Sequence, residues 1–433
     1  MRSVFVCVLL TACVFAVDNL PRHGVIGLQL GKSDPAKASG PSNPVVVQRV
    51  AQNSAGAEAG FLAGDIVRSV DGSPAVSPTR AARMVSRHLA GDQVHIAVTR
   101  GAQELNLTAT LKPRPFESRP DADVLYWSVN VGSARRRVIV TRPHRNGRLP
   151  AILLMQGLGC DSMDGLNSQT GYGAVLAAFE GQGFVTMRVE KTGVGDSEGP
   201  DCTDPAATPD LEAEGYLAGL RALKSYDFVD PAKVFVFAHS MGPVVGSLAI
   251  AREPVRGFIA VETVGTDWFE YDLERYRVQH SLGAPPDKVD SDLRAYEICS
   301  YRFYVEKQRP EDLAKTLGCD IMTAPFGDVP YTFMQAVADI SLGRQWKNAD
   351  FPVLIIYGTS SPVTTSHQSR ALVSLINRLH PGRATYAEIP HMSHDLSLYD
   401  SPADFMNRAP GSVHPFSAEL MEAIMSWMKP LLG

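Results

Sequence analysis

Blocks of lysine or arginine are scarce in this chain. The one short run, Arg135-Arg136-Arg137, reads as the solvated face of a strand. With a formal net charge of -5 over 433 residues, a nucleic-acid partner is disfavoured, because gripping a phosphate backbone takes a clustered basic surface. No two of the six cysteines have Cys-x-x-Cys spacing, which disfavours structural zinc sites and thioredoxin-like chemistry. No metal or cofactor is implied. No apolar run is long enough to cross a bilayer, and no strong internal repeat is visible.

What is present is ordinary globular composition, with 45% hydrophobic and 20% charged residues, enough to bury real cores. The length exceeds one typical domain, so two folded units are expected. The sequence opens with MRSVFVCVLLTACVFAVDN. A single positive residue, Arg2, precedes a short apolar run and the small-residue site Val14-Phe15-Ala16, so residues 1–16 read as a signal peptide. Leu10-Thr11-Ala12-Cys13 also has the form of a bacterial lipobox, which would put a lipid on Cys13, although the residues after it are apolar rather than a polar tether. Either processing predicts an extracytoplasmic protein, periplasmic or secreted. Outside the signal region stand Cys160, Cys202, Cys299 and Cys319. An even number in an oxidising compartment predicts disulfides, with three connectivities open.

Residues 23–113 alternate short strands with glycine turns: HGVIGLQL, PVVVQRV, GDIVRSVDG, QVHIAVTR and ELNLTATL, with one helical stretch, PTRAARMVSRHL. The segment NSAGAEAGFLAGDIVRSVDG resembles the PDZ family in its bacterial, protease-associated form. That resemblance implies a small β-rich domain. It sets Gly27, Leu28, Gln29 and Leu30 where the family has its carboxylate-binding loop, so a protein C-terminus is an implied partner; a domain that only packs on its neighbour is the alternative. KPRPFESRPDAD, rich in proline and charge, reads as a linker over about 114–122.

From Leu149 the pattern changes to apolar strands alternating with amphipathic helices, which predicts an α/β fold with a mainly parallel sheet buried on both faces. Strand KVFVFAHS runs into the helix-like MGPVVGSLAIA, with Ser240 at the junction in Ala238-His239-Ser240-Met241-Gly242. This is the strand–turn–helix context of a G-x-S-x-G nucleophile elbow, with alanine meeting the need for a small first residue. The segment from 123 to 433 resembles the α/β-hydrolase family here and at three further places. The loop Gly157-Leu158-Gly159 follows strand AILLMQG, so the resemblance implies an oxyanion hole from the N–H groups of Leu158 and Met241. VEKTGVGDSEG resembles the family's R-G-x-G-x-S loop and is taken as a structural turn. IPHMSHDL stands where the family has its catalytic histidine; His391 and His394 compete, and the distance past the proline favours His394. His239 is expected to be a packed strand-end residue.

The acid departs from the family's pattern. After FPVLIIYG comes Gly358-Thr359-Ser360-Ser361, with Ser361 where an aspartate is usual. Some members, among them a branch of the haloalkane dehalogenases, take the acid from the preceding strand, here GFIAVETVGTDW. The resemblance therefore makes Glu262 the candidate, with Asp267 behind it. Residues from about 268 to 348 form an insertion rich in aromatics, which the family would use as a cap. It contains Cys299 and Cys319, whereas Cys160 and Cys202 fall in loops at the C-terminal edge of the sheet; those pairings are expected. The implied activity is an exported serine hydrolase cleaving carboxylic esters through an acyl-enzyme. A peptidase or amidase of the same fold, or a catalytically impaired scaffold, are the alternatives.

Overall fold

A computed structural model describes residues 20–32, 44–316, 319, 328–409 and 411–433. The expected signal segment and Cys13 lie outside the described residues.

The N-terminal unit comprises β1 (Gly24–Val25), β2 (Leu28–Lys32), β3 (Val45–Val50), α1 (Ala55–Glu58), β4 (Ile66–Val70), β5 (Ser73–Pro74), α2 (Pro78–Ser86), β6 (Gln93–Arg100), β7 (Gln103–Thr110) and β8 (Lys112–Pro113). Its main sheet runs β2-β3-β4-β6-β7, with β5 beside β4, and its pairs are antiparallel; β1 pairs separately with β8. HGVIGLQL is therefore not one strand. Gly27 takes φ 77°, a left-handed backbone that breaks the extended run and sends the backbone to a different partner strand. The helix also stops at Ser86, short of Leu89.

The second unit begins with β9 (Ala122–Val131), β10 (Ala134–Pro143), β11 (Leu149–Met155), α3 (Gly171–Gly181), β12 (Val185–Val189), α4 (Pro209–Ser225), β13 (Val229–His239), α5 (Gly242–Ile250) and β14 (Gly257–Val261). Between β14 and the next strand lie α6 (Trp268–Ser281), α7 (Pro286–Tyr304), α8 (Pro310–Leu313), α9 (Tyr331–Val337) and α10 (Leu342–Trp346). β15 (Val353–Gly358), α11 (Ser366–Leu379), β16 (Ala384–Ile389), α12 (Pro402–Met406) and α13 (Ala418–Leu432) complete it. The eight strands run in the order β16-β15-β14-β13-β11-β12-β10-β9. Those from β12 to β16 pair parallel, and β10 and β9 close one edge antiparallel. Residues alternate across β13: Val236 and Ala238 face α4 and α5, while Phe235 and Phe237 face α3 and α13. Both faces of the central strands are thus dry, and each large apolar side chain so buried contributes roughly 2 kcal/mol.

The two units share a polar interface. Arg22 lies over the rings of Phe116 and Tyr126, 4.5 and 4.8 Å from their centres. Its guanidinium donates to Asp196 at 2.6 Å and Asp164 at 2.8 Å. Arg87 reaches Asp201, and Arg83 reaches Asp328. One sequence expectation is corrected by these contacts and their neighbours. The arginine run is not a solvated face: Arg136 and Arg137 are buried. Arg137 donates to Asp196 and the Leu20 carbonyl, and Arg136 to the Glu198 carbonyl. In the arginine run, the charge that suggested exposure is met by internal partners. The proline-rich segment between β8 and β9 is tied to the second unit, because Glu117 pairs with the buried Arg188 at 2.6 Å and accepts from the Gly165 N–H.

The predicted disulfides Cys160–Cys202 and Cys299–Cys319 are both present. No helix among the described residues is long and apolar enough to cross a membrane.

Candidate active site

Strand β13 ends at His239 and α5 begins at Gly242, so Ser240 and Met241 must make the whole turn. Ser240 does so with φ 58°, a left-handed backbone that costs a non-glycine residue energy and is kept where the surroundings impose it. The turn is held by the Ser240 N–H donating to the Val261 carbonyl at 2.9 Å. It is also tight. A Cβ on Gly242 would come within 2.5 Å of the Met155 carbonyl oxygen, and one on Gly157 within 3.0 Å of the Ser240 Cβ. Ala238, in the motif's first position, is fully buried.

The elbow aims the hydroxyl at His394, whose Nε2 lies 2.9 Å from Ser240 Oγ. On the other side of the ring, Nδ1 lies 3.3 Å from Glu262 Oε2. Glu262 is fully buried and sits just past the tip of β14 with φ 53°. Its Oε1 accepts from the Gly358 N–H at 2.5 Å and its Oε2 from the Thr364 hydroxyl at 2.5 Å. These donors fix the carboxylate, so the imidazole presents Nδ1–H to it and leaves the Nε2 lone pair for the serine proton.

The competing residues fall elsewhere. His391 is exposed, lines a separate cavity and donates its backbone N–H to Thr359. The Asp267 carboxylate caps α6 by accepting from the Glu270 N–H. Ser361 Oγ accepts from the N–H groups of Val363 and Thr364. It therefore shapes the turn that delivers Thr364 to Glu262.

His239 is buried between the elbow and the histidine loop. Its Nε2 lies 2.8 Å from the His394 carbonyl oxygen, which only accepts, so Nε2 carries the proton. Nδ1 then accepts from the Tyr172 hydroxyl at 2.7 Å, and that hydroxyl accepts from the Gly157 N–H at 2.8 Å. Burial holds the Tyr172 phenol protonated by pushing its pKa up. Burial first, then the nearby His394 charge, push the His239 pKa well below the usual value. His239 is thus a neutral brace for His394. Tyr172 and Thr364 carry no sequence signal, since nothing about a lone tyrosine or threonine marks it as a partner of a distant histidine or glutamate.

The Gly157 N–H is spent on Tyr172. Among the described residues, the N–H groups of Leu158 and Met241 donate to no protein group. Both residues line, with Ser240 and His394, a cavity of about 990 Å³. Its far wall is one face of α6, carrying Trp268, Tyr271, Asp272, Arg275, Tyr276 and Gln279, with Tyr296 of α7 and Met334 of α9. The loop bearing Leu158 is tied down behind the site. The buried Lys191 ammonium donates to the Gly157 carbonyl at 2.8 Å, and Glu190 accepts from the Ser162 hydroxyl and the Met163 N–H.

In the N-terminal unit the turn falls at Ile26–Gly27, and Leu28, Gln29 and Leu30 belong to β2. Gly24 through Leu28 and Leu30 line a groove against α2, whereas Gln29, on the alternate face of the strand, is exposed and does not. The backbone thus turns at Ile26–Gly27 and runs extended from Leu28 to Leu30.

A family model described as "Alpha/beta hydrolase family" matches residues 152–409, and one described as "PDZ domain" matches residues 24–111. No curated protein matches the sequence. Among solved structures, Est1E from Butyrivibrio proteoclasticus is 16% identical, covering 71% of this protein and 98% of its own length, with a TM-score of 0.44. The Pyrococcus furiosus esterase PF2001 is 11% identical over 74% of this protein and 97% of its own length, with a TM-score of 0.44. Pyrococcus horikoshii acylaminoacyl peptidase is 14% identical over 74% of this protein and 45% of its own length, with a TM-score of 0.41.

Proposed function

The protein belongs to the alpha/beta hydrolase family, and from that premise we propose that it is an exported serine hydrolase that cleaves carboxylic esters with Ser240, His394 and Glu262. The observation that carries the reading is the unbroken relay from Ser240 Oγ to His394 at 2.9 Å and from His394 to the buried Glu262 at 3.3 Å. In the proposed reaction Ser240 Oγ attacks the ester carbonyl carbon as its proton passes to His394 Nε2. Glu262 keeps the ring in the required tautomer and offsets the imidazolium charge. The oxyanion is received by the unspent N–H groups of Leu158 and Met241, a pair whose single members are worth about a hundredfold or more. Collapse expels the alcohol, which takes the proton from His394. Water then enters by the same route in reverse roles and releases the acid.

The helices between β14 and β15 act as a cap in this reading, and the aromatic face of α6 receives the acyl or alcohol portion. Two disulfides support an oxidising, extracytoplasmic location. The substrate class is tested with purified protein on a panel of p-nitrophenyl esters and peptide p-nitroanilides. Turnover of esters with little turnover of anilides is expected; the reverse preference would make the protein a peptidase.

A further inference from the structure

The groove of the PDZ domain reaches the border with the second unit at Ser86 and Arg114. It is about 320 Å³, with apolar walls from Val67, Val70, Ala81, Val85 and Ile96. Arg114 is the one charged side chain among its lining residues. The N–H groups of Ile26 and Gly27, at the turn that closes it, donate to no described residue. Apolar walls, two unspent donors and a lone cation suit the free carboxyl terminus of a peptide with an apolar last residue, its carboxylate at the turn.

Arg114 belongs to two other places as well. With Ser86 it lines a second cavity between the two units, and Asp161 is common to that cavity and the catalytic one. Its Nη1 donates to Ser162 Oγ at 2.9 Å. Ser162 in turn donates to Glu190 at 2.5 Å, and Glu190 also holds the Met163 N–H at 3.1 Å. Residues 157–163 are thus one stretch, with Leu158 near one end and the partner of Arg114 near the other.

We propose that the groove is a control site: a peptide carboxyl terminus bound there draws Arg114 off Ser162 and thereby lowers turnover at Ser240. A guanidinium bonds a carboxylate more strongly than a hydroxyl, so a carboxylate at the turn outcompetes Ser162. Ser162 and Glu190 then lose the cation that faces them, so the stretch keeps its anchors at Lys191, at the Cys160–Cys202 disulfide and on Glu190 but is held less tightly at its far end, where Arg114 had bonded Ser162. The Leu158 N–H is displaced rather than removed. The effect is therefore smaller than the hundredfold or more that losing an oxyanion donor costs, on the order of three- to tenfold in kcat. The proposal rests on the Ser240 reading above.

The test uses the full-length protein and a library of fluorescein-labelled peptides ending in Val, Leu, Ile or Phe, each with a free carboxylate or amidated. Anisotropy reads binding, and p-nitrophenyl butyrate turnover reads activity. Free-carboxylate peptides are expected to bind and to lower kcat with little change in KM, while their amidated forms do neither. Arg114→Gln should bind them more weakly, and its turnover should not respond to them. Bound peptide with unchanged kcat, equal inhibition by amidated peptides, or no binding by any free-carboxylate peptide would overturn the proposal alone. A peptide-free protein that turns over no ester would instead remove the Ser240 reading, and this proposal with it.

Discussion

Glu262 is held with a left-handed backbone and is fully buried, and both its oxygens are engaged, Oε1 by Gly358 and Oε2 by Thr364 and His394. A strained, dry carboxylate of this kind persists where its position is required. Glu262→Gln should therefore lower kcat by about a thousandfold or more with KM little changed, while Ser361→Ala stays within about tenfold of the parent, measured by steady-state ester hydrolysis. Glu190 is also buried, but with a different consequence. Burial pushes its pKa up to about 7, against the opposing pull of its bonds to Ser162 and Met163. A carboxyl raised in the fold binds its proton more tightly there than in the unfolded state. The stability it lends is complete below the ordinary value of 4.5 and is lost as pH rises through about 7. Urea midpoints should fall across that window for the parent and stay flatter for Glu190→Gln, whose side-chain oxygen can still accept from Ser162 and Met163.

At the scale of elements, the catalytic unit was largely legible because its strands are buried on both faces. Unbroken apolar runs such as KVFVFAHS and GFIAVET mark them, and the turn at Ser240 is marked by what it forbids, a Cβ at Gly242. The misreadings came where tertiary partners decide. HGVIGLQL has strand composition throughout, yet the left-handed Gly27 splits it. Arg135-Arg136-Arg137 has the composition of a wet face, yet the second and third arginines are buried against Glu198 and Asp196. Neither partner is near in sequence, so no local pattern reports it. The elements are also stapled: the Cys160–Cys202 bridge joins loops 42 residues apart. Closing a loop of that length is worth about 4 kcal/mol on the loop-entropy estimate. The double variant Cys160→Ser/Cys202→Ser should lose a large part of that in chemical denaturation, with a fall in kcat because the Leu158 loop loses a tether.

Across the whole molecule, the segment Leu20–His23 and the stretch after β8 bind the two units together around Arg22. Asp164 and Asp196, its partners, are almost wholly buried, with side-chain exposures of 3% and 2%. Removing one member of such a group leaves buried charge uncompensated, so Arg22→Ala should cost about 3 kcal/mol and lower Tm by calorimetry, although Arg22 lies outside the catalytic cavity. The hydrolytic unit is therefore expected to be weaker without its N-terminal partner. The central claim, that Ser240 is an activated nucleophile, is tested most directly by a fluorophosphonate probe followed by peptide mass mapping. The folded protein should carry one adduct, on Ser240, formed far more slowly in His394→Ala. A folded protein that stays unlabelled, or carries the adduct on another residue, would contradict it.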